Sequence, residues 1–158
     1  LLQILNESNR IIVNCENCGN IDIISPCVLC TNTERDSHTI CVVEDVSDLW
    51  TFESIGFYRG MYQVLGGSLS VINEVSTNDL SITKLINRVK NQSVKEVILA
   101  LSTTTEGQTT THVISDKLES ISDLVVTSLA QGVPIGGEVH YLDQNTLNTA
   151  FQSRKKIN

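Results

Sequence analysis

The sequence contains no long apolar run. Its strongest apolar segment, residues 97–101, covers only five positions, whereas about 20 are needed to cross a bilayer. No signal peptide is recognisable at the start of the chain. We therefore expect a soluble, cytoplasmic protein with no membrane partner.

The chain is also poor in positive charge. It has 11 Lys and Arg residues against 18 Asp and Glu residues, which gives a formal net charge of -7. Affinity for a polyanion grows with the number of phosphates that basic side chains neutralise. An acidic chain is therefore expected to bind DNA weakly on its own, through a local basic patch or with the help of a partner.

Cysteine, in contrast, is concentrated in one place. Four of the five cysteines form two Cys-x-x-Cys pairs separated by eight residues, namely Cys15 with Cys18 and Cys27 with Cys30. Each pair presents two thiolates from a tight turn, and two pairs complete a tetrahedral shell of four sulfurs with no open position. The spacing predicts a structural Zn²⁺ site.

Two other uses of these cysteines compete with the metal site. Two disulfides would suit an oxidising compartment, and a thioredoxin-like redox pair would need only one Cys-x-x-Cys between a strand and a helix. A cytosolic context favours the metal. The fifth cysteine, Cys41, lies in an apolar run and is expected to be a small core residue.

The chain divides by composition into four parts. Residues 1–14 resemble the remnant of an apolar helical segment, 15–36 form a small zinc finger, 37–130 form the main domain, and 131–158 form a C-terminal strand-helix segment.

In the main domain, short β-branched runs alternate with helical patterns. This alternation predicts an α/β fold with a largely parallel sheet flanked by helices. The expected strands of the whole chain beyond the zinc finger are 39–44, 61–65, 94–101, 124–129 and 139–142. The expected helices are one over 46–55, one that reaches position 90, one that ends at position 118, and a last one over 143–155.

Acidic side chains follow two of the predicted strands. Glu44 and Asp48 come after the first strand of the main domain, and Glu106 comes after the strand near 97–101. Ligands of open α/β sheets collect at the carboxyl ends of the strands. We expect these acids to form one acidic edge that either docks a partner protein or holds Mg²⁺. The alternative is that acids in the first turn of a helix are there only because the helix dipole favours them.

Three basic residues are candidates for DNA contact. Arg35 stands at the entry to the first strand, where it contacts either phosphate or the neighbouring carboxylates Glu34 and Asp36. Lys84 and Arg88 belong to a small basic group. The alternative for that group is an ordinary solvated helix face.

The order of these motifs resembles the RecR family of bacterial recombination mediators. The two Cys-x-x-Cys pairs are followed by Arg35-Asp36 and by an apolar strand ending at Glu44; Tyr58-Arg59-Gly60, Val64-Leu65-Gly66-Gly67 and Gly132-Val133-Pro134-Ile135-Gly136-Gly137 resemble later family signatures. The resemblance implies a zinc finger joined to a Toprim (topoisomerase–primase) domain. It covers nearly the whole chain from residue 10.

Departures from the family pattern shape the functional expectation. Most of the N-terminal helix-hairpin-helix segment, which supplies DNA contacts in the family, is expected to be missing, and Gln108 replaces a family glutamate. The Asp-x-Asp pair with which catalytic Toprim enzymes hold Mg²⁺ does not occur in the sequence, and phosphoryl transfer needs such charge neutralisation. The resemblance therefore implies a mediator that is not an enzyme. The alternative is a Mg²⁺-dependent Toprim nuclease or primase-like enzyme using the acidic edge.

The resemblance also implies partners and a location. RecO-like and RecF-like proteins are the expected partners in loading recombinase onto single-stranded DNA. The chain is expected to form a homo-oligomer, either a dimer or a tetrameric ring, and to act in the bacterial cytoplasm near the nucleoid.

Overall fold

A computed structural model describes residues 11–67 and 82–157 of the chain. Its elements are, in order, β1 (Val13–Asn14), β2 (Ile21–Asp22), α1 (Val28–Thr31), β3 (Asp36–Val43), α2 (Val46–Ile55), β4 (Gly60–Val64), α3 (Ile82–Asn91), β5 (Glu96–Leu99), α4 (Thr105–Leu118), β6 (Val125–Ser128), a 3-10 turn (Val139–Tyr141) and α5 (Gln144–Gln152). None of the helices in these ranges is long and apolar enough to cross a membrane.

The main sheet has four parallel strands in the order β4-β3-β5-β6. Strand β3 lies inside the sheet, where Ile40 pairs with Met61 on one side and with Val97 on the other. Parallel neighbours need crossover connections, and α2, α3 and α4 supply them in turn. The expected α/β class with a largely parallel sheet is confirmed.

Side chains alternate between the two faces of the sheet, and apolar clusters bury both faces of strand β3. Ile40 and Val42 point into a cluster shared with Leu85 of α3 and Ile114 of α4. The alternate residues of β3 point the other way, and their cluster contains Cys41, Val43, Tyr62, Val64 and Leu49 of α2. Cys41 is therefore a core residue, as the sequence predicted.

Helix α2 has the bounds that its sequence predicts. Asp45 is its N-cap, with Asp48 completing a capping box, and Gly56 ends it in the left-handed conformation at φ 76. Glycine adopts this conformation without the steric cost that a Cβ brings. Helix α2 thus begins directly after Glu44 and the end of β3.

Two predicted strands differ from the structure. Residues 124–129 were expected to form a buried strand, but β6 is the sheet edge and Val125 is 57% exposed. Residues 139–142 were expected to form a strand, but Val139–Tyr141 is a 3-10 turn. Apolar residues alone suggested a strand there, but a strand needs a neighbouring edge to pair with, and Val139 and Tyr141 are exposed in this turn.

The chain separates into two compact units at Leu129. The second unit contains the 3-10 turn and α5, which is shorter than the predicted 143–155. Asp143 caps α5 by accepting a hydrogen bond from the backbone N–H of Thr146 at 2.9 Å. Of the predicted N-terminal remnant 1–14, residues 1–10 lie outside the described ranges.

Candidate metal centre and acidic edge

The four predicted ligands come together in a small hairpin module. Cys15 and Cys18 lie in the turn between β1 and β2, while Cys27 precedes α1 and Cys30 lies within it. The four Sγ atoms are all within 4.8 Å of one another, and the two short distances join the two motifs, Cys18 to Cys27 at 3.6 Å and Cys15 to Cys30 at 3.8 Å. This is the arrangement of a four-thiolate metal site.

Backbone N–H groups point at these sulfurs. The N–H of Cys27 donates to Cys15 Sγ at 3.3 Å, and the N–H of Asn20 donates to Cys18 Sγ at 3.4 Å. Burial opposes ionisation of Cys15, yet the N–H groups of Cys18 and Cys27 outweigh it and lower its pKa to about 6. The neighbouring thiol of Cys30 and burial raise the pKa of Cys18. Neighbouring thiolates such as those of Cys15 and Cys18 repel each other, and a bound cation would compensate that repulsion.

Two polar side chains hold the turns around the cluster. Asp22 accepts hydrogen bonds from the N–H groups of Ile23 at 2.7 Å and Val28 at 3.0 Å. Ser25 Oγ accepts from the N–H of Glu16 at 2.9 Å. The Asp22 carboxylate thus ties the strand after the first Cys-x-x-Cys to the helix that carries the end of the second. Sequence reasoning missed Asp22 and Ser25, although small polar residues in tight turns are the usual signal for such bonds.

The module lies directly against the sheet. The carbonyl of Cys18 accepts a hydrogen bond from the N–H of Val64, the last residue of β4, at 2.7 Å. Gly19 follows at φ +81, and a Cβ there would be 3.2 Å from the Cβ of Val64. Leu29 packs against both the cysteine cluster and the sheet cluster. The close approach of the cysteine module to Val64 is therefore possible because Gly19 has no side chain.

Arg35 joins the module to the sheet through a largely buried ion pair. Its guanidinium donates two hydrogen bonds to Glu53, at 2.7 and 3.1 Å, and its Nε donates to the carbonyl of Gly60 at 2.9 Å. The partner is Glu53 of α2 and not the neighbouring Glu34 or Asp36, because the helix brings Glu53 back over the sheet. Since the Arg35 side chain is only 6% exposed, it has little surface to offer phosphate.

The other two predicted DNA contacts differ from each other. Arg88 is buried, and its guanidinium donates to the carbonyl of Tyr62 at 2.7 Å and to Gln63 Oε1 at 2.9 Å. Lys84 is exposed on the same helix. Arg88 therefore serves the core of the described structure, and of the three predicted residues Lys84 is the one available to solvent.

Glu44 and Asp48 meet at the centre of the acidic edge. The connections reverse direction at β3, so its carboxyl end is the switch point at which α/β sheets collect ligands. A shallow pocket of about 350 Å³ lies there, lined by Glu44, Asp45, Asp48 and Ser102 among others. Both carboxylates already have hydrogen-bond donors. Glu44 accepts from the N–H and the hydroxyl of Ser102, each at 2.8 Å, and Asp48 accepts from the N–H of Asp45 at 3.1 Å.

Glu106, the third predicted member of the acidic edge, belongs to a different helix. It lies in the first turn of α4, outside the residues that line the pocket. The sequence pattern placed it after the correct strand, but the segment 102–104 turns before the helix begins. Thr104 caps the helix by accepting from the N–H of Gly107 at 3.2 Å. A Cβ on Gly107 would clash with the backbone of Ser102, so this glycine permits the turn.

Ser102 is a residue of the acidic edge that sequence reasoning missed. Its backbone and side chain bind one oxygen of Glu44, and its hydroxyl also lies 2.8 Å from that of Thr104. The serine- and threonine-rich stretch after β5 was the available signal. Such residues bond nearby backbone and carboxylate groups in turns, and here they fix the position of Glu44.

Family models match two parts of the chain. Residues 38–130 match the Toprim domain, and residues 132–155 match the model described as RecR, C-terminal. The first match covers most of the parallel sheet, including β4, β5 and β6. The expected Toprim fold is confirmed.

Curated relatives match across both parts. A recombination protein RecR from Rhizobium etli is 48% identical over 143 residues, which are 90% of this chain and 71% of the relative. One from Ruegeria sp. is 50% identical over the same shares of both chains. One from Rhizobium meliloti is 46% identical over 157 residues, 99% of this chain and 78% of the relative.

Proposed function

The chain belongs to the RecR family of recombination proteins, and on that premise we propose that it is a mediator of recombinational DNA repair that acts without catalysing a reaction. It works with RecO-like and RecF-like proteins to load recombinase onto single-stranded DNA in the bacterial cytoplasm near the nucleoid. We propose that it consists of an N-terminal remnant (1–14), a zinc finger (15–36), a Toprim-like domain (37–130) and a C-terminal segment (131–158). A recombinational role itself follows from family membership.

One observation carries the proposal, namely how the acidic edge is built. Glu44 is held by two donors from Ser102, and Asp48 is used in a capping box. These bonds orient both carboxylates while leaving negative charge at the switch point of the sheet. The sequence has no Asp-x-Asp pair to complete a Mg²⁺ site. An oriented acidic surface of this kind suits docking of a basic protein surface.

The cysteine cluster fits a structural Zn²⁺ ion. Four sulfurs within 4.8 Å, supported by N–H donors, are a donor set that Zn²⁺ prefers, and the shell leaves no position for a substrate. Cys15, Cys18, Cys27 and Cys30 would hold the ion, which supplies cross-linking energy and no chemistry on a substrate. Elemental analysis is expected to find one zinc per chain.

Binding to a purified RecO-like protein tests the docking surface. Glu44→Gln and Asp48→Asn each remove one charge but keep an oxygen that can accept the observed hydrogen bonds. Each is expected to weaken partner binding roughly tenfold at low salt, because close interfacial charge pairs contribute about 1.5 kcal/mol at the low end of their range. The loss is expected to shrink at high salt, where exposed charges are screened.

A matched control removes a charge elsewhere. Glu119→Gln changes an exposed carboxylate at the end of α4, and it should leave partner binding unchanged. If Glu44→Gln and Glu119→Gln weaken binding equally, net charge and not the acidic edge drives the association. A loss that persists unchanged in high salt also contradicts electrostatic docking.

The same proteins discriminate the enzymatic alternative. A Mg²⁺-dependent nuclease or primase-like enzyme would turn over labelled DNA or nucleotides, and Glu44→Gln would abolish that turnover. We expect no turnover by the wild-type chain above the level of the Glu44→Gln variant. A clear difference between the two would overturn the mediator proposal.

DNA binding and assembly complete the proposal. With net charge -7, the chain alone is expected to bind DNA no tighter than the roughly 10⁻⁴ to 10⁻⁶ M of non-specific binding. A homo-oligomer, either a dimer or a tetrameric ring, would add weak contacts such as Lys84 through multivalency. Sedimentation with and without single-stranded DNA tests both statements, and Lys84→Glu should reduce any steep salt dependence.

A further inference from the structure

Asn20 connects the predicted metal ligands to helix α2. It follows Cys18 and Gly19, and it is only 5% exposed. Its carbonyl accepts from the N–H of Cys15 at 2.6 Å, and its own N–H donates to Cys18 Sγ at 3.4 Å. Its side-chain Oδ1 accepts from the indole N–H of Trp50 at 3.1 Å. One buried residue thus links the shape of the ligand turn to the helix.

A second contact runs beside the first. The carbonyl of Cys18 accepts from the N–H of Val64 at 2.7 Å, so the ligand turn also rests on the end of β4. The turn from Cys15 to Asn20 is short, and a bound ion would cross-link its two sulfurs to those of Cys27 and Cys30. The positions of both acceptors, Cys18 O and Asn20 Oδ1, therefore depend on whether a metal holds the turn together.

Helix α2 connects the metal-dependent turn to the acidic edge. Trp50 lies two residues after Asp48, and the helix begins directly after Glu44 and its N-cap Asp45. A helix of 10 residues moves largely as one body, so restraint at Trp50 acts on the first turn of the same helix. The ligand turn and the acidic pocket are therefore attached to one short element.

We propose that metal loading of the cysteine cluster is coupled to the ordering of helix α2, and thereby of the acidic edge, through the Asn20–Trp50 hydrogen bond. Asn20 and Trp50 are positioning residues. The consequence for partner docking rests on the proposed function, but the coupling itself does not. Coupling is reciprocal: if metal orders α2, then an ordered α2 raises metal affinity by the same factor. A single hydrogen bond of this kind corresponds to an effect of about two- to tenfold.

Two measurements on the full chain test the coupling without any partner. The chain has one tryptophan, so the fluorescence emission of Trp50 reports directly on its contact with Asn20. Removal of Zn²⁺ with a chelator is expected to shift this emission to longer wavelength and to speed amide exchange in α2 by at least the roughly two- to tenfold that one hydrogen bond supports, since the Arg35–Glu53 pair is loosened as well. In the metal-loaded Asn20→Ala variant, α2 should already exchange faster, while its Co²⁺ derivative keeps the absorption spectrum of a four-thiolate site.

Metal affinity, measured by competition with a chromophoric chelator, supplies the reciprocal test. Asn20→Ala and Trp50→Phe are each expected to weaken Zn²⁺ binding by roughly two- to tenfold, and the double variant should lose no more than the larger single loss, because both remove the same bond. Asn148→Ala, at an exposed position of α5, is the control and should change neither readout.

Specific results would overturn the proposal. If the losses of Asn20→Ala and Trp50→Phe simply add, the two residues act separately. If the metal-loaded Asn20→Ala variant shows wild-type amide exchange in α2, the Asn20–Trp50 bond does not order the helix. Because this variant is compared with its metal bound, the conclusion is the same even if removal of Zn²⁺ unfolds the whole chain. If the coupling is observed but the partner does not bind, the result counts against the proposed function and not against the coupling.

Discussion

The cysteine module, residues 15–36, and the parallel sheet keep their shapes by different means. In the described structure, the buried cluster of the module consists of Cys15, Cys18 and Cys27, while Ile23 and Val28 are 66% and 56% exposed. In the sheet, aliphatic side chains fill clusters on both faces. A module this small cannot bury enough apolar surface to fold unaided, so we expect its order to depend on a bound metal ion, whereas the sheet depends on burial.

The contrast explains why specific contacts are needed where the cysteine module meets the sheet; this set of contacts is called the joint below. The cysteine turn offers the core of the sheet little hydrophobic surface, and Leu29 supplies part of it by packing against both the cysteine cluster and the sheet cluster. Directional polar contacts add to this packing, through Cys18 with Val64, Asn20 with Trp50, and Arg35 with Glu53. Orientation of the module is therefore set by a few directional bonds.

The largest expected effect separates the cysteine module from the core strands of the sheet. Cys27→Ser, or removal of the metal, is expected to unfold residues 15–36, because structural zinc sites contribute on the order of 10 kcal/mol of apparent binding free energy. Strands β3 and β5 should keep their slow amide exchange, since their cores contain no ligand. Exchange measured segment by segment checks this. Equal loss of protection in β5 and in the module would show that the sheet also depends on the ion.

A core substitution tests the opposite dependence. Leu85 is fully buried in the sheet cluster, so Leu85→Ala is expected to lower the free energy of unfolding by about 2–5 kcal/mol. Bound zinc per folded chain should stay at the wild-type level. Thr83→Ala, at an exposed position of the same helix, is the control and should change stability by less than about 0.5 kcal/mol. Loss of zinc in folded Leu85→Ala would contradict the separation.

The ion pair at the joint is expected to have an intermediate effect. Arg35→Gln leaves Glu53 without its partner and should cost roughly 1–3 kcal/mol of stability. This is below the roughly 3–5 kcal/mol of a fully buried pair, because the Glu53 side chain is 28% exposed. Denaturant unfolding of Arg35→Gln, Glu53→Gln and the double variant measures the coupling. Additive losses would show that the pair contributes nothing of its own.

The same pair predicts a pH dependence. Burial of Glu53 acts to raise its pKa, but the hydrogen bonds and charge of Arg35 outweigh burial, so the pKa is lowered. A carboxyl group whose pKa is lowered on folding stabilises the protein fully above its unfolded pKa of about 4.3. That contribution is lost as the pH falls through the folded value. The stability difference between wild type and Glu53→Gln should therefore shrink below about pH 4, and a difference that stays constant from about pH 7 to about pH 3 would contradict this.

The sequence predicted each region well but not the joint between them. Cysteine spacing predicts that these four residues cluster, because metal geometry restricts the spacing of ligands, and β-branched runs identify β3 and β5 because a doubly covered sheet requires them. Helix α2 was predicted to its ends because Asp45 and Gly56 are strong local signals. These features depend on neighbours within a few residues.

The failures mostly depend on residues distant in sequence. Arg35 pairs with Glu53 and Arg88 bonds Gln63, and no local pattern reveals either partner, so both cations looked available to DNA. Ser102 binds Glu44 across the sheet because β3 and β5 are neighbours. The apolar pattern at 139–142 suggested a strand, yet pairing depends on an edge that the local sequence does not specify.

The smallest expected effect concerns Cys41, the one cysteine that belongs to the sheet. Burial raises the pKa of its thiol to about 12, so at about pH 8 only about one molecule in 10⁴ carries the reactive thiolate. With the metal removed, iodoacetamide should label the four module cysteines while Cys41 stays protected until denaturant unfolds the sheet. Mass spectrometry of the labelled peptides measures the order. Labelling of Cys41 together with Cys15 and Cys27 in chelator alone would show that the two regions open as one, and that the ion supports the sheet as well as the module.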